Sequence, residues 1–325
     1  NGNVNYYLNE TRDLLITRRI APSAGLDNPT LNVGKMRNQG FELELNWNDK
    51  INDFEYNVGF NISTIANKVV ALANEDQTIY GVGLKYGTEH FPTQTKVGKP
   101  IGAFYLYQAD GIFQSLEEVQ AHKNSKGELL QPNAQPGDVR FKDMNGDGVI
   151  DEDDKTYSGT GIAKVEANLN LGASYKGFDF SAVIGSAFGN KIYNGIRYYY
   201  EGMNSASNFL KTTLNAWTPT NTKTDVPRAI YGDPNQNTRE STRFLENGDF
   251  VRLRQVQLGY TLPKALSKHI YCDRIRFYVS AENVFTITGY SGANPEFSQG
   301  VLNSGVDRFT YPFSRSYTVG AQVSF

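Results

Sequence analysis

Cysteine is nearly absent from this 325-residue chain: Cys272 stands alone, so no disulfide framework supports the fold. Histidine is also scarce. His90, His122 and His269 lie far apart, no G-x-S-x-G or Cys/His pairing occurs, and the clustered carboxylates fall in one Gly-rich loop, so the inventory excludes an enzyme of familiar type. Basic residues are spread evenly rather than gathered in a stripe, which argues against nucleic acid as a partner. No apolar run approaches the length of a transmembrane helix. A mean hydropathy of -0.48 and a net charge of -2 suit a soluble protein, but they also suit barrel strands, which expose only alternate residues to lipid.

What is abundant is alternation. In residues 315–325, Arg315, Tyr317, Val319, Ala321, Val323 and Phe325 leave one face while Ser316, Thr318, Gly320, Gln322 and Ser324 leave the other. The pattern recurs in Val4 to Leu8, Phe41 to Trp47, Phe54 to Ile62, Val165 to Ala173, Phe178 to Phe188, Phe250 to Leu262 and Ile275 to Ala281. One copy changes phase. Val251 and Leu253 are odd, whereas Val256, Leu258, Tyr260 and Leu262 are even, which predicts a β-bulge near Arg254 and Gln255.

An edge strand of a soluble sandwich would alternate in the same way, so the connections decide between the two. Short links (49–53, 176–177, 264–273) alternate strictly with long ones (10–38, 66–162, 193–248, 288–314), whereas sandwich loops show no such parity. Tight periplasmic turns and long outer loops are the wiring of an outer-membrane barrel. Parity gives eight strands if residues 98–113, which read partly as strand, lie inside the second long loop. Twenty Tyr and nineteen Phe suit aromatic girdles at the bilayer interfaces. The expected fold is thus all-β, a transmembrane antiparallel β-barrel wall, with Arg276, Tyr278, Ser280 and Glu282 facing the lumen and Ile275, Phe277, Val279 and Ala281 facing lipid. Cys272 reads as a small residue in a turn. The chain begins almost inside a strand and shows no signal peptide, which predicts a piece of something larger.

One loop has the residues for ion chemistry. Asp143, Asn145, Asp147, the Val149 carbonyl, Asp151 and Asp154 match D-x-[DN]-x-D-G with oxygen donors at positions 1, 3, 5, 7, 9 and 12, a hard donor set that favours calcium. The motif ends on Asp154 where a bidentate Glu is usual, and no helices clearly flank it. The competing reading is an acidic turn that orders itself through Asx hydrogen bonds without metal. Tyr198, Tyr199 and Tyr200 form an aromatic cluster in the third long loop: flat rings that either contact substrate, stacking on sugar faces, or belong to the interfacial girdle or the packing of the loop.

The segments VGKPIGAFYLYQADGIFQSLEEV (97–119), QPGDVRFKDMNGDGVIDEDD (135–154), DFVRLRQVQLGYTLP (249–263), IRFYVSAENVFTITGYSGANPE (275–296) and YPFSRSYTVGAQVSF (311–325), in this order, carry a family resemblance. The chain resembles the C-terminal third of SusC-like TonB-dependent transporters of Bacteroidota outer membranes, over nearly its whole length. The resemblance implies that residues 1–325 supply the last eight strands of a 22-stranded barrel, with residues 66–161 as a loop insertion. It implies a plug domain and a TonB box that this sequence does not contain. It also implies a SusD-like surface lipoprotein as lid, and a terminal aromatic read by the barrel-assembly machinery. The activity implied is import driven by the TonB energy complex, of oligosaccharides or, in some relatives, peptides. A structural or adhesive barrel is the alternative from another class. If the chain is a segment of a larger wall, its first and last strands do not pair with each other.

Overall fold

The computed structural model describes residues 1–17, 25, 29–74, 76–86, 88–204, 208–269 and 271–325. Eight antiparallel strands stand side by side in chain order: β1 (Gly2–Thr17), β2 (Thr30–Ile51), β3 (Phe54–Thr64), β4 (Val165–Tyr175), β5 (Phe178–Phe188), β6 (Phe250–Thr261), β7 (Arg274–Thr288) and β8 (Ser316–Ser324). Every strand pairs with its sequence neighbour, and among the described residues no ladder joins β1 to β8, so the sheet stays open. A ninth, short strand, Ala66–Ala71, pairs with the upper part of β2.

Register turns the alternation into two continuous faces. Trp47, Val58, Leu171, Ala182, Val256, Ala281 and Tyr317 stand abreast across seven strands. The adjacent row on the other face is Asn48, Asn57, Gly172, Ser181, Gln257, Ser280 and Thr318, polar but for its glycine. A one-residue slip in any strand would exchange its faces, so the apolar row fixes the pairing. The row nearest the short turns is aromatic: Phe54, Tyr175, Phe178, Tyr260 and Phe277, with Phe178 and Tyr260 at 4.5 Å between ring centroids. Lys176 (φ 45°) and Gly177 (φ 91°) close the β4–β5 hairpin, the double positive φ that a tight two-residue hairpin turn requires.

The expected bulge is present at Arg254. Leu253 opposes Ile184 and Gln255 opposes Val183, so Arg254 is the inserted residue and the apolar side chains beyond it return to the outer face. Residues 98–113 lie outside the wall, in the small strands Ala103–Leu106 and Ala109–Ile112.

Two expectations need correction, and one short link holds a helix. The first long link is shorter than residues 10–38, because β1 runs to Thr17 and β2 starts at Thr30; cross-strand ion pairs from Glu10 to Arg37 (2.8 Å) and Lys35 (3.0 Å) hold the extension where apolar alternation has ceased. The link after β6 contains a helix, Lys264–His269. This helix abuts β7, and Ile275, which register places on the same face as Phe277 and Val279, is buried rather than exposed. Phe277 and Val279 are exposed on the outer face as expected, while Arg276 is buried and bonded to Asp179 on the other. Cys272 is a buried residue at this turn.

The hydrophobic core is outside the wall. Leu84, Phe104, Leu106, Tyr193, Tyr198, Phe244 and Val306 form one buried cluster drawn from three long loops. Around it, strands Ile79–Tyr80, Thr93–Thr95, Ala103–Leu106 and Thr156–Thr160 make one sheet. Lys191–Asn194 pairs with Leu245–Asn247 and, in parallel, with Val306–Asp307 in another. The long loops are therefore a folded canopy.

Candidate functional sites in the canopy and lumen

The canopy holds a cavity of 610 Å³ with Tyr80 and Phe91 (ring centroids 5.4 Å apart) among its lining aromatics and His90, Lys155, Arg239 and Glu240 among its charged groups. Lys155 Nζ donates to both Glu152 and Glu240 at 2.5 Å, and His90 Nδ1 contacts Glu240. Burial pushes the Glu240 carboxyl up, but His90 and Lys155 more than reverse this and hold it below the usual carboxylate range. Arg239 lies over the Tyr107 and Phe141 rings, at 4.9 and 4.6 Å from their centroids. A cavity with flat rings beside paired charges can seat a polar ligand with an apolar face.

The acidic loop is tightly organised. Both Asp143 oxygens accept backbone N–H groups, from Gly146 (2.6 Å) and Gly148 (2.9 Å), and Asn145 and Asp147 accept from Asp147 and Val149, each at 2.9 Å. Asp151 accepts from Asp153, and the fully buried Asp154 accepts from Met144 (2.6 Å) and Asp151 (2.8 Å). Among the described residues no three His, Cys, Asp or Glu side chains gather as a metal cluster. The donor chemistry suits calcium; the arrangement in the structure is that of an Asx loop capping itself.

The three tyrosines separate. Tyr198 is 1% exposed within the canopy core, edge-on to Phe244 at 5.7 Å. Tyr199 stacks on Phe309 at 5.5 Å and its hydroxyl accepts the Lys85 N–H. Tyr200 is the exposed member, at the end of the short helix Gly195–Tyr200.

The lumen face carries charge. Asp179 accepts from Arg276 Nε at 2.9 Å, and Tyr278 stands beneath the same guanidinium. At the bulge, Arg252 and Arg254 both bond Glu296, at 3.0 and 2.9 Å, which brings the last long loop down against the wall. Arg252 is buried and also donates to Asn294 (2.6 Å) and Thr286 (2.9 Å). Sequence reasoning did not reach Lys155, Glu240 or this arginine pair. The pair had a visible sign, two arginines spaced by two at the phase slip, whereas Glu296 is distant in sequence.

An open antiparallel wall with an apolar outer face, an aromatic row at its short-turn end and a polar, charged inner face defines a segment of a transmembrane β-barrel. The comparisons give the family. The TonB dependent receptor-like, beta-barrel model matches residues 1–284, and the chain belongs to that family, whose members are outer-membrane proteins. It is 30% identical over 328 residues to TonB-dependent receptor P3 of Formosa agariphila, covering 98% of this chain and 32% of the relative. It is 25% identical over 334 residues to TonB-dependent receptor SusC of Bacteroides thetaiotaomicron, covering 100% and 30%. A solved structure of the RagAB peptide transporter superposes with a TM-score of 0.77 at 26% identity, covering 100% of this chain and 33% of that one. The chain thus spans about a third of these relatives, which are receptors and transporters rather than enzymes.

Proposed function

We propose that this chain forms the lumen wall and part of the outer canopy of a TonB-driven importer of oligosaccharides, working with a SusD-like lipoprotein lid. The observation that carries the reading is the conjunction of a polar lumen face with a folded canopy whose cavity presents Tyr80 and Phe91 beside paired charges. Aromatic rings next to hydrogen-bonding groups suit sugar faces, and Tyr200 is the exposed ring of the tyrosine cluster. The remaining strands of a 22-stranded barrel, a plug and the TonB energy complex complete the machine in this reading, because open strand edges are not viable in hydrocarbon. Peptide import is the second reading, favoured by the likeness to the RagAB peptide transporter. Mass spectrometry of ligands co-purified with the whole receptor tests both. Oligosaccharide supports the first, peptide replaces it with the second, and no cargo together with no TonB-dependent uptake by cells would leave a structural or adhesive barrel.

Calcium in loop 143–154 is a separate proposal, supported by the oxygen-only donor set of Asp143, Asn145, Asp147, the Val149 carbonyl, Asp151 and Asp154. Its expected role is to stiffen the loop insertion. Calcium titration of the whole receptor should show binding that Asp143→Ala and Asp147→Ala abolish; a chelator-insensitive loop with no titration signal favours the self-capped turn.

A further inference from the structure

The arginine pair at the bulge is built in a way that a simple loop anchor does not need. Arg252 stands in regular register two residues before Arg254, the inserted residue of the bulge, and both guanidiniums reach one carboxylate on the lumen side. Gly185 on the neighbouring strand provides the seat. A Cβ built there would come within 2.2 Å of Arg254 Nε, so only glycine leaves the guanidinium where it lies. Arg252 is nearly inaccessible and triply bonded, which makes it the fixed member. The Arg254 side chain is 40% exposed and commits one nitrogen to Glu296, beside a cavity of 400 Å³ that is also lined by Glu166, Asn168 and Ser186. Glu296 reaches this place on a loop, not on the wall, so the carboxylate is the part of the arrangement that can be exchanged.

We propose that Arg252 and Arg254 form a lumenal site for a carboxylate on the transported ligand, with Glu296 as its resident placeholder. A planar guanidinium matches a carboxylate through two parallel N–H bonds, and such charge-assisted bonds are the strong ones. An incoming carboxylate would take the Arg254 face first and displace the Glu296 side chain, while Asn294 stays bonded to Arg252. That the ligand is cargo rests on the import reading; that the site takes a carboxylate does not.

The test is calorimetric binding to the whole receptor in detergent, with trigalacturonate and an acidic Glu-rich tetrapeptide as probes and their methyl esters as controls. Whichever acid binds identifies the source of the carboxylate. The proposal expects Glu296→Gln to strengthen acid binding several-fold by removing the internal competitor. It expects Arg254→Met to weaken binding about tenfold, as loss of a charge-assisted bond does. Gly185→Ala should weaken it too, with the arginine still present. The esters should bind weakly and without regard to these substitutions. Glu296→Gln failing to strengthen binding, or neither acid binding either the receptor or that variant, overturns the proposal. Acid binding without uptake by cells would contradict the import reading and leave this site standing.

Discussion

Trp47 and Trp217, the chain's two tryptophans, sit in two different solvents. Trp47 projects from the outer face of the wall, 61% exposed, in the apolar row that runs from β2 to β8. Trp217 is 8% exposed in the canopy, packed over Gly137, with its indole N–H donating to Gln114 at 2.9 Å. The wall turns its large apolar side chains outward and its charges inward toward the lumen. The canopy does the reverse, burying Tyr193, Tyr198 and Phe244 as an ordinary soluble domain would. Apolar burial in water holds the canopy together, whereas the wall is held by ladder hydrogen bonds that hydrocarbon leaves no alternative to. Two folding regimes are therefore written into one chain.

Substitutions that act on one regime and not the other sharpen this contrast. Phe244→Ala is expected to have the largest effect, about 3–5 kcal/mol for emptying a fully buried aromatic site. Proteolysis should then cleave the canopy while the wall keeps its resistance to heat in detergent; loss of both together would mean that the regions fold as one unit. Leu171→Arg should cost the wall about 2–4 kcal/mol near mid-bilayer, and Asn170→Arg, one residue away on the lumen face, much less. Folding yield into lipid vesicles checks the pair, and equal losses would break the face assignment.

The smallest effect concerns acid. Burial lowers the pKa of His122, against a weaker opposing pull from its hydrogen bond to the Phe141 carbonyl. A histidine whose folded pKa is depressed contributes stability above its unfolded value of about 6.5, and that stability is lost as pH falls through the folded pKa. Fluorescence of Trp217 in a Trp47→Phe background should therefore report canopy loosening below about pH 6.5, and His122→Gln should flatten the change. An acid response of equal size in His122→Gln would assign it to other groups.

The wall was legible in the sequence because each of its rules is local. Alternation set the faces of Phe54 to Ile62 and Val165 to Ala173, the parity of link lengths set the number of strands, and the phase slip marked Arg254 as the bulge. The extension of β1 and β2 to Thr17 and Thr30 was not legible, since charged pairs such as Glu10 with Arg37 replace apolar alternation there. Nor was the canopy core, which unites Leu84, Phe104, Tyr193 and Val306 from three loops without any period. For the same reason the sequence left Tyr198 open between a ligand platform and packing, where the structure has it in the core, and Glu296 gave no sign that it belonged to Arg252 and Arg254. Cross-loop contacts of this kind are set by tertiary packing, which no window of sequence contains.

Fluorescence quenching of the whole receptor in bilayers with brominated acyl chains, using versions in which Trp47 or Trp217 is the sole tryptophan, tests the two-solvent account most directly. Trp47 in lipid should be strongly quenched by the brominated chains and insensitive to aqueous iodide, and Trp217 should not be quenched by lipid at all. Iodide quenching of Trp47 without lipid quenching, or lipid quenching of Trp217, would contradict the two-solvent account.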